Sequence, residues 1–201
     1  MIVIGVTGNL ASGKSCVTRT FRKMGAKVVD ADALARRGMR KGTPIYRAMV
    51  KVFGPAFLSK DKTIDRRKLA WHVFSHPKEL KKLHILTHPG VILEAYKAIE
   101  KWKGKKGVIV LDVPLLFEAR MEKLADFAVV VRSGEKEMLS RAEKRGMPRK
   151  LARSILASQW PLSKKVTMAD FVIDNDGSLA ELEAQVKKIY KEIIIKSKFK
   201  M

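Results

Sequence analysis

One cysteine, Cys16, is all the thiol this chain carries. A lone cysteine cannot close an intramolecular disulfide, build a thiolate metal cluster or form a C-x-x-C redox pair, so a reducing compartment is expected. Long apolar runs are also missing. The strongest, 107–117, is interrupted by Asp112 and Pro114 and is too short to span a bilayer, and Met1 leads directly into a predicted strand instead of a signal sequence. A soluble, cytoplasmic protein with no membrane partner is therefore expected. Acidic residues are scarce: 20 Asp and Glu stand against 42 Lys and Arg, a formal charge of +22. Such a field makes nonspecific polyanion binding possible. No RNP aromatics, zinc-finger spacing or other nucleic-acid module accompanies it, so no specific nucleic-acid partner is expected. Repeats and low-complexity tracts are absent too, and 201 residues suffice for one buried core with appendages.

Short β-branched runs recur at Ile2–Thr7, Ala26–Val29, Val108–Leu111, Phe127–Val131 and Phe171–Ile173, with helical segments between most of them. Fully buried parallel strands read this way, so an α/β fold with a five-stranded parallel sheet is predicted. Between residues 33 and 106 no sheet strand is apparent. Ile45–Phe53, Arg67–Phe74 and Pro77–Lys103 read as helices, the last interrupted at His88-Pro89-Gly90, giving a helical insertion. A second excursion, 135–165, holds two basic helical segments divided by Gly146 and Pro148, the pattern of a mobile lid. Ser178 and Glu181 form a capping box before an apolar stripe of Leu179, Leu182, Val186, Ile189 and Ile193, a closing amphipathic helix.

The most specific signal is Gly8-Asn9-Leu10-Ala11-Ser12-Gly13-Lys14-Ser15, a complete G-x-x-x-x-G-K-S between a predicted strand and a predicted helix. Backbone N–H groups of such a loop and of the following helix N-terminus bind phosphate oxygens, and small residues let the chain wrap closely. Residues Gly8 through Cys16 are thus the candidate ATP site, with Lys14 on the β- and γ-phosphates and the Ser15 hydroxyl on Mg²⁺. Thr7, at the strand end, also points toward this site. Asp30-Ala31-Asp32 leaves the second strand where open α/β sheets bind ligands, and one of the two carboxylates could orient an acceptor hydroxyl or take its proton. A helix cap would explain them as well. Asp112 ends the third run as a Walker-B-like acid, holding Mg²⁺ directly or through water, or as a plain turn-starting Asp. Arg141 and Arg145 stand one helical turn apart in the lid, where guanidinium groups could neutralise a transferring phosphoryl. His84 and His88 have the spacing of a zinc pair but no clear third ligand.

With these residues in hand, the chain resembles the dephospho-coenzyme A kinases along nearly its whole length. The resemblance rests on Val6-Thr7-Gly8 through Ser15, Asp30-Ala31-Asp32, Ile64-Asp65-Arg66, His88-Pro89 and Pro114-Leu115-Leu116-Phe117-Glu118. Gln159, Ala169-Asp170 and Asp174-Asn175 continue it. It implies one P-loop kinase domain over 1–201: a three-layer core, a coenzyme-binding helical insertion over about 33–106 and a lid over about 135–165. It further implies ATP and dephospho-CoA as substrates, Asp32 as the catalytic acid, and Thr7, Asp32, Asp65, Arg66, His88, Pro114 and Leu115 at the acceptor. Asn9 and Ala11 depart from the family, where glycine is usual, so the loop is less permissive of unusual backbone angles. Another P-loop kinase of a nucleoside, nucleotide or small metabolite remains the alternative, followed by an ATP-dependent nucleic-acid-binding protein; a monomer or small homo-oligomer is expected.

Overall fold

The computed structural model describes residues 1–198. β1 (Ile2–Thr7), β2 (Lys27–Asp30), β3 (Val108–Asp112), β4 (Phe127–Arg132) and β5 (Phe171–Asp174) form one sheet in the order β2-β3-β1-β4-β5, every neighbouring pair parallel. All of β3 and all but the last residue of β4 are buried, which is why these strands read as continuous apolar runs with no alternation.

Side chains alternate across the sheet, and each face recruits different partners. Ile4, Val6, Val110, Val129, Val131 and Ile173 pack against Val17 and Phe21 of α1 (Lys14–Lys23) and against Leu182, Val186, Ile189 and Ile193 of α9 (Leu179–Lys198). The capping box starts α9 as its spacing predicts: Ser178 N–H donates to Glu181 Oε2 at 2.7 Å and Glu181 N–H donates to Ser178 Oγ at 3.2 Å. On the opposite face Gly5 is crowded, since a Cβ there would lie 3.0 Å from Leu116 and 3.2 Å from Ala125.

The chain divides into two compact units, Met1–Asp30 with the chain from Ala98 onward, and Ala31–Lys97. The second is helical: α2 (Ala31–Gly38), α3 (Pro44–Phe53), α4 (Arg66–Ser75) and α5 (Pro77–Glu100), the last running on into the first unit. Thr43 and Asp65 cap α3 and α4, their side chains accepting from Tyr46 N–H and Lys68 N–H. Met49, Leu69, Val73 and Leu80 form its core.

The interruption expected at His88-Pro89-Gly90 does not occur; α5 is one helix of 24 residues with Pro89 inside. An interior proline removes one hydrogen bond and crowds the carbonyl four residues earlier. Here that residue is Ile85, 63 % exposed, so the freed carbonyl lies on a turn that water can reach. Gly90 breaks nothing: a Cβ there would lie 2.8 Å from Ile45 Cδ1, so the glycine admits α3 against α5.

Candidate active site

The site grows from the register of β1 and β3. Val6 pairs with Asp112, and Val113 N–H donates to Val6 O at 3.0 Å, so the loop leaving β1 emerges beside the end of β3. Gly8 must be small, because a Cβ would lie 2.5 Å from Ser12 Oγ and 2.7 Å from Val131 O. Ala11 at φ 56° and Gly13 at φ 102° turn the backbone left-handed, and Ser12 N–H closes onto Asn9 O at 3.0 Å. Of the two departures from the family glycines, Ala11 therefore takes the unusual angle and Asn9 does not. The buried Asn9 instead sends Nδ2 to Trp160 O at 3.3 Å.

The loop is held from two sides. Asn175 Nδ2 donates to Ser12 O at 2.7 Å, and a Cβ on Gly13 would collide with that amide. Leu10 N–H donates to Gln159 Oε1 at 2.9 Å, while Leu10 and Ala11 pack on Leu139, Ala142 and Ala152 of the hairpin formed by α6 (Glu135–Lys144) and α7 (Arg149–Ser158). Gly146, at φ 79°, makes the turn of that hairpin.

Lys14 opens α1 and forms an ion pair with Asp112 Oδ1. Asp112 is only 8 % exposed, and its second oxygen accepts from Thr18 Oγ1 at 3.0 Å. Ser15 is exposed on the first turn of α1 and Cys16 is half-buried against the core. Thr7 is fully buried, its hydroxyl donating to Pro114 O at 3.0 Å. That carbonyl also receives Lys165 Nζ at 3.0 Å, from α8 (Leu162–Thr167). The Lys165 ammonium makes an ion pair of 2.8 Å with Glu118, and burial pulls its pKa below the ordinary lysine value.

Arg141 serves as a clamp here. Nη1 donates to Ser133 Oγ at 3.0 Å and Nη2 to Asn175 O at 2.6 Å, joining the segments after β4 and β5. Asp176 completes this junction by accepting from Ser133 Oγ at 2.7 Å and Gly134 N–H at 2.9 Å, and these bonds hold its carboxyl below the usual range. Arg145 is exposed at the end of α6. Lys14, Asp112, Thr7 and Pro114 thus come together with the loop, and Leu115 follows them half-buried in the turn after β3. Asp32, Asp65, Arg66 and His88 belong to the helical unit. There, Asp32 is exposed on the first turn of α2, Arg66 is exposed at the start of α4, and His88 stacks on His84 with centroids 4.4 Å apart.

No spacing rule marks Lys165, Ser133 or Asp176, which with Thr18 complete these contacts. Thr18 has one signal, its place one helical turn after Lys14. Lys165 has none, because Lys164 beside it is the same residue in the same helix yet lies exposed, 3.6 Å from the Trp160 ring centroid.

Comparison with known proteins agrees with this geometry. The family model described as dephospho-CoA kinase matches residues 2–181. A dephospho-CoA kinase of Aquifex aeolicus is 41 % identical over 190 residues, covering 94 % of this chain and 96 % of that protein. The structure of dephospho-CoA kinase from Campylobacter jejuni, 28 % identical, superposes with a TM-score of 0.67 over 99 % of this chain and 98 % of that one. A shikimate kinase from Acinetobacter baumannii, 15 % identical with a TM-score of 0.56 over 98 % of this chain and 94 % of that one, shares the fold of P-loop kinases. Phosphate loop, sheet order and near-complete coverage together show that the chain belongs to the dephospho-CoA kinase family.

Proposed function

We propose that this protein is a dephospho-CoA kinase, transferring the γ-phosphoryl of ATP to the ribose 3′-hydroxyl of dephospho-CoA to give coenzyme A, the last step of its synthesis. The observation that carries the reading is Lys14 at the start of α1, paired with Asp112 under a complete phosphate loop, within a chain the family model spans from residue 2 to 181. Ser12 Oγ is buried with no hydrogen-bond partner among the described residues, which suits a loop whose partners arrive with the nucleotide.

The loop N–H groups and the first turn of α1 hold the β- and γ-phosphates, and Lys14 moves from Asp112 to bridge them. Asp32 orients the 3′-hydroxyl and accepts its proton as the ribose oxygen bonds to the γ-phosphorus and the bond to the bridging oxygen breaks, releasing ADP. Arg145, exposed on the lid, neutralises charge on the transferring group; Arg141 shapes the lid base. The helical unit supplies Asp65, Arg66 and His88 to the coenzyme, with Pro114 and Leu115 from the turn after β3. Ser15 and Asp112 fit Mg²⁺, since a hydroxyl and a carboxylate are hard oxygen donors and this ion keeps most of its shell from water and phosphate. When bound, it neutralises phosphate charge.

Among the described residues no helix is long and apolar enough to cross a membrane. The decisive measurement is ADP release with dephospho-CoA beside nucleosides, nucleotides and small alcohols at equal concentration. Turnover with dephospho-CoA at least tenfold above every other acceptor is expected, and preference for a nucleoside would overturn the assignment.

A further inference from the structure

Lys165 is the one lysine among the described residues that is completely buried, and no step above uses it. A buried ammonium is expensive unless paired, and lysine is almost never fully buried without a partner. Its two contacts reach different parts of the site. One goes to Pro114 O at 3.0 Å, the same carbonyl that takes the Thr7 hydroxyl at 3.0 Å. The other goes to Glu118 Oε1 at 2.8 Å, and that oxygen also accepts from Trp160 N–H at 3.0 Å.

Each contact continues toward the phosphate loop and Lys14. Pro114 stands two residues after Asp112, the partner of Lys14, so the direction of its carbonyl fixes the turn that ends β3. Trp160 and Gln159 hold the loop through Asn9 and Leu10. We propose that Lys165 is a positioning residue for phosphoryl transfer, fixing through Pro114 the turn that presents Asp112 to Lys14 and through Glu118 the connector that supports the phosphate loop.

Positioning and simple charge neutralisation predict different behaviour. If Lys165 only neutralises Glu118, removing both charges together should restore everything, because a pair of buried charges is replaceable when no charge is left alone. If it positions the Pro114 turn, that double change still leaves the carbonyl without one of its two donors. Phosphate binding rests mainly on the loop backbone, so the loss should fall on kcat more than on KM.

The proposal rests on the site reading above, so Lys14→Met and Asp112→Asn are measured alongside Lys165→Met, Glu118→Gln, Lys165→Arg and the Lys165→Met/Glu118→Gln double mutant. Gln keeps an acceptor for Trp160 N–H. For each, kcat, KM for ATP and dephospho-CoA, and Tm are determined. The double mutant should melt close to Glu118→Gln, yet its kcat should remain at least about tenfold below that single mutant, with both KM values within about threefold. Lys165→Arg should recover part of kcat. A double mutant with the kcat of Glu118→Gln overturns the proposal, as does one that fails to fold, since Lys165 is then a stabilising residue only. Full activity in Lys14→Met and Asp112→Asn would instead overturn the site itself.

Discussion

Lys14 carries two demands: it forms an ion pair with Asp112, and the proposed mechanism requires it to reach the phosphates. Its side chain is 15 % exposed and pairs with Asp112, so truncation removes an ion pair and leaves that carboxylate its hydrogen bond from Thr18. Lys14→Ala should abolish turnover in the ADP-release assay while the circular dichroism spectrum stays that of the folded protein. The proposed acceptor role distinguishes two carboxylates. Asp30 is half-buried at the end of β2, in register with Asp112, whereas Asp32 is exposed on the first turn of α2. Asp32→Asn keeps size and one oxygen acceptor but removes the charge proposed to take the hydroxyl proton. It should lower turnover by roughly two to four orders of magnitude, leave ATP binding by titration little altered, and exceed the effect of Asp30→Asn. Near-normal turnover of Asp32→Asn beside an inactive Asp30→Asn would reverse the roles. Ala11 gives a third test. At φ 56° a Cβ costs about 1–2 kcal/mol, which the greater chain entropy of glycine and the loss of the methyl packed on Leu139, Ala142 and Ala152 largely offset, so Ala11→Gly should change stability by less than about 1 kcal/mol in urea melts.

At the scale of elements, the α6–α7 hairpin separates two arginines that sequence spacing groups together. Arg141 donates two hydrogen bonds across the ends of β4 and β5, so Arg141→Ala should cost about 1–3 kcal/mol in denaturant melts, lowering activity through a loosened junction. Arg145 is exposed, so Arg145→Ala should leave Tm unchanged and lower kcat by roughly a hundredfold if it meets the transferring phosphoryl. Equal melting temperatures for the two variants would refute the distinction. What the sequence revealed follows from how far each signal reaches. The strands were legible because both faces are buried, and the phosphate loop because backbone geometry fixes its residue types at fixed spacing. The continuity of α5 was not, since His88-Pro89-Gly90 reads locally as a breaker while the reason for Gly90 is Ile45 on another helix. Lys165 was hidden for the same reason: its burial depends on Pro114 and Glu118, some 50 residues away in sequence.

Over the whole molecule the formal charge of +22 decides how the fold responds to salt. Some surface pairs do neutralise charge, such as Lys82 with Glu79, Lys97 with Glu94 and Lys103 with Glu100. These are surface pairs, the first two within α5 and the third just past its end, and each contributes little. With 42 basic side chains against 20 acidic ones, most positive charge has no acidic counterpart to meet, and mutual repulsion opposes the compact state. Repulsion between exposed charges is screened once their separation exceeds the Debye length, about 10 Å at 0.1 M salt. The buried pairs, Lys14 with Asp112 and Lys165 with Glu118, are screened far less. Screening should therefore remove more repulsion than attraction, and Tm should rise as NaCl increases from about 20 to 200 mM. The same field should draw duplex DNA weakly, with log K falling linearly against log salt, because that binding is counterion release and not base reading. Thermal melts and DNA titrations over one salt series test both. A Tm that falls with salt would mean that surface ion pairs outweigh repulsion, and DNA or RNA affinity that ignores salt would reveal a built nucleic-acid site in place of a diffuse basic field.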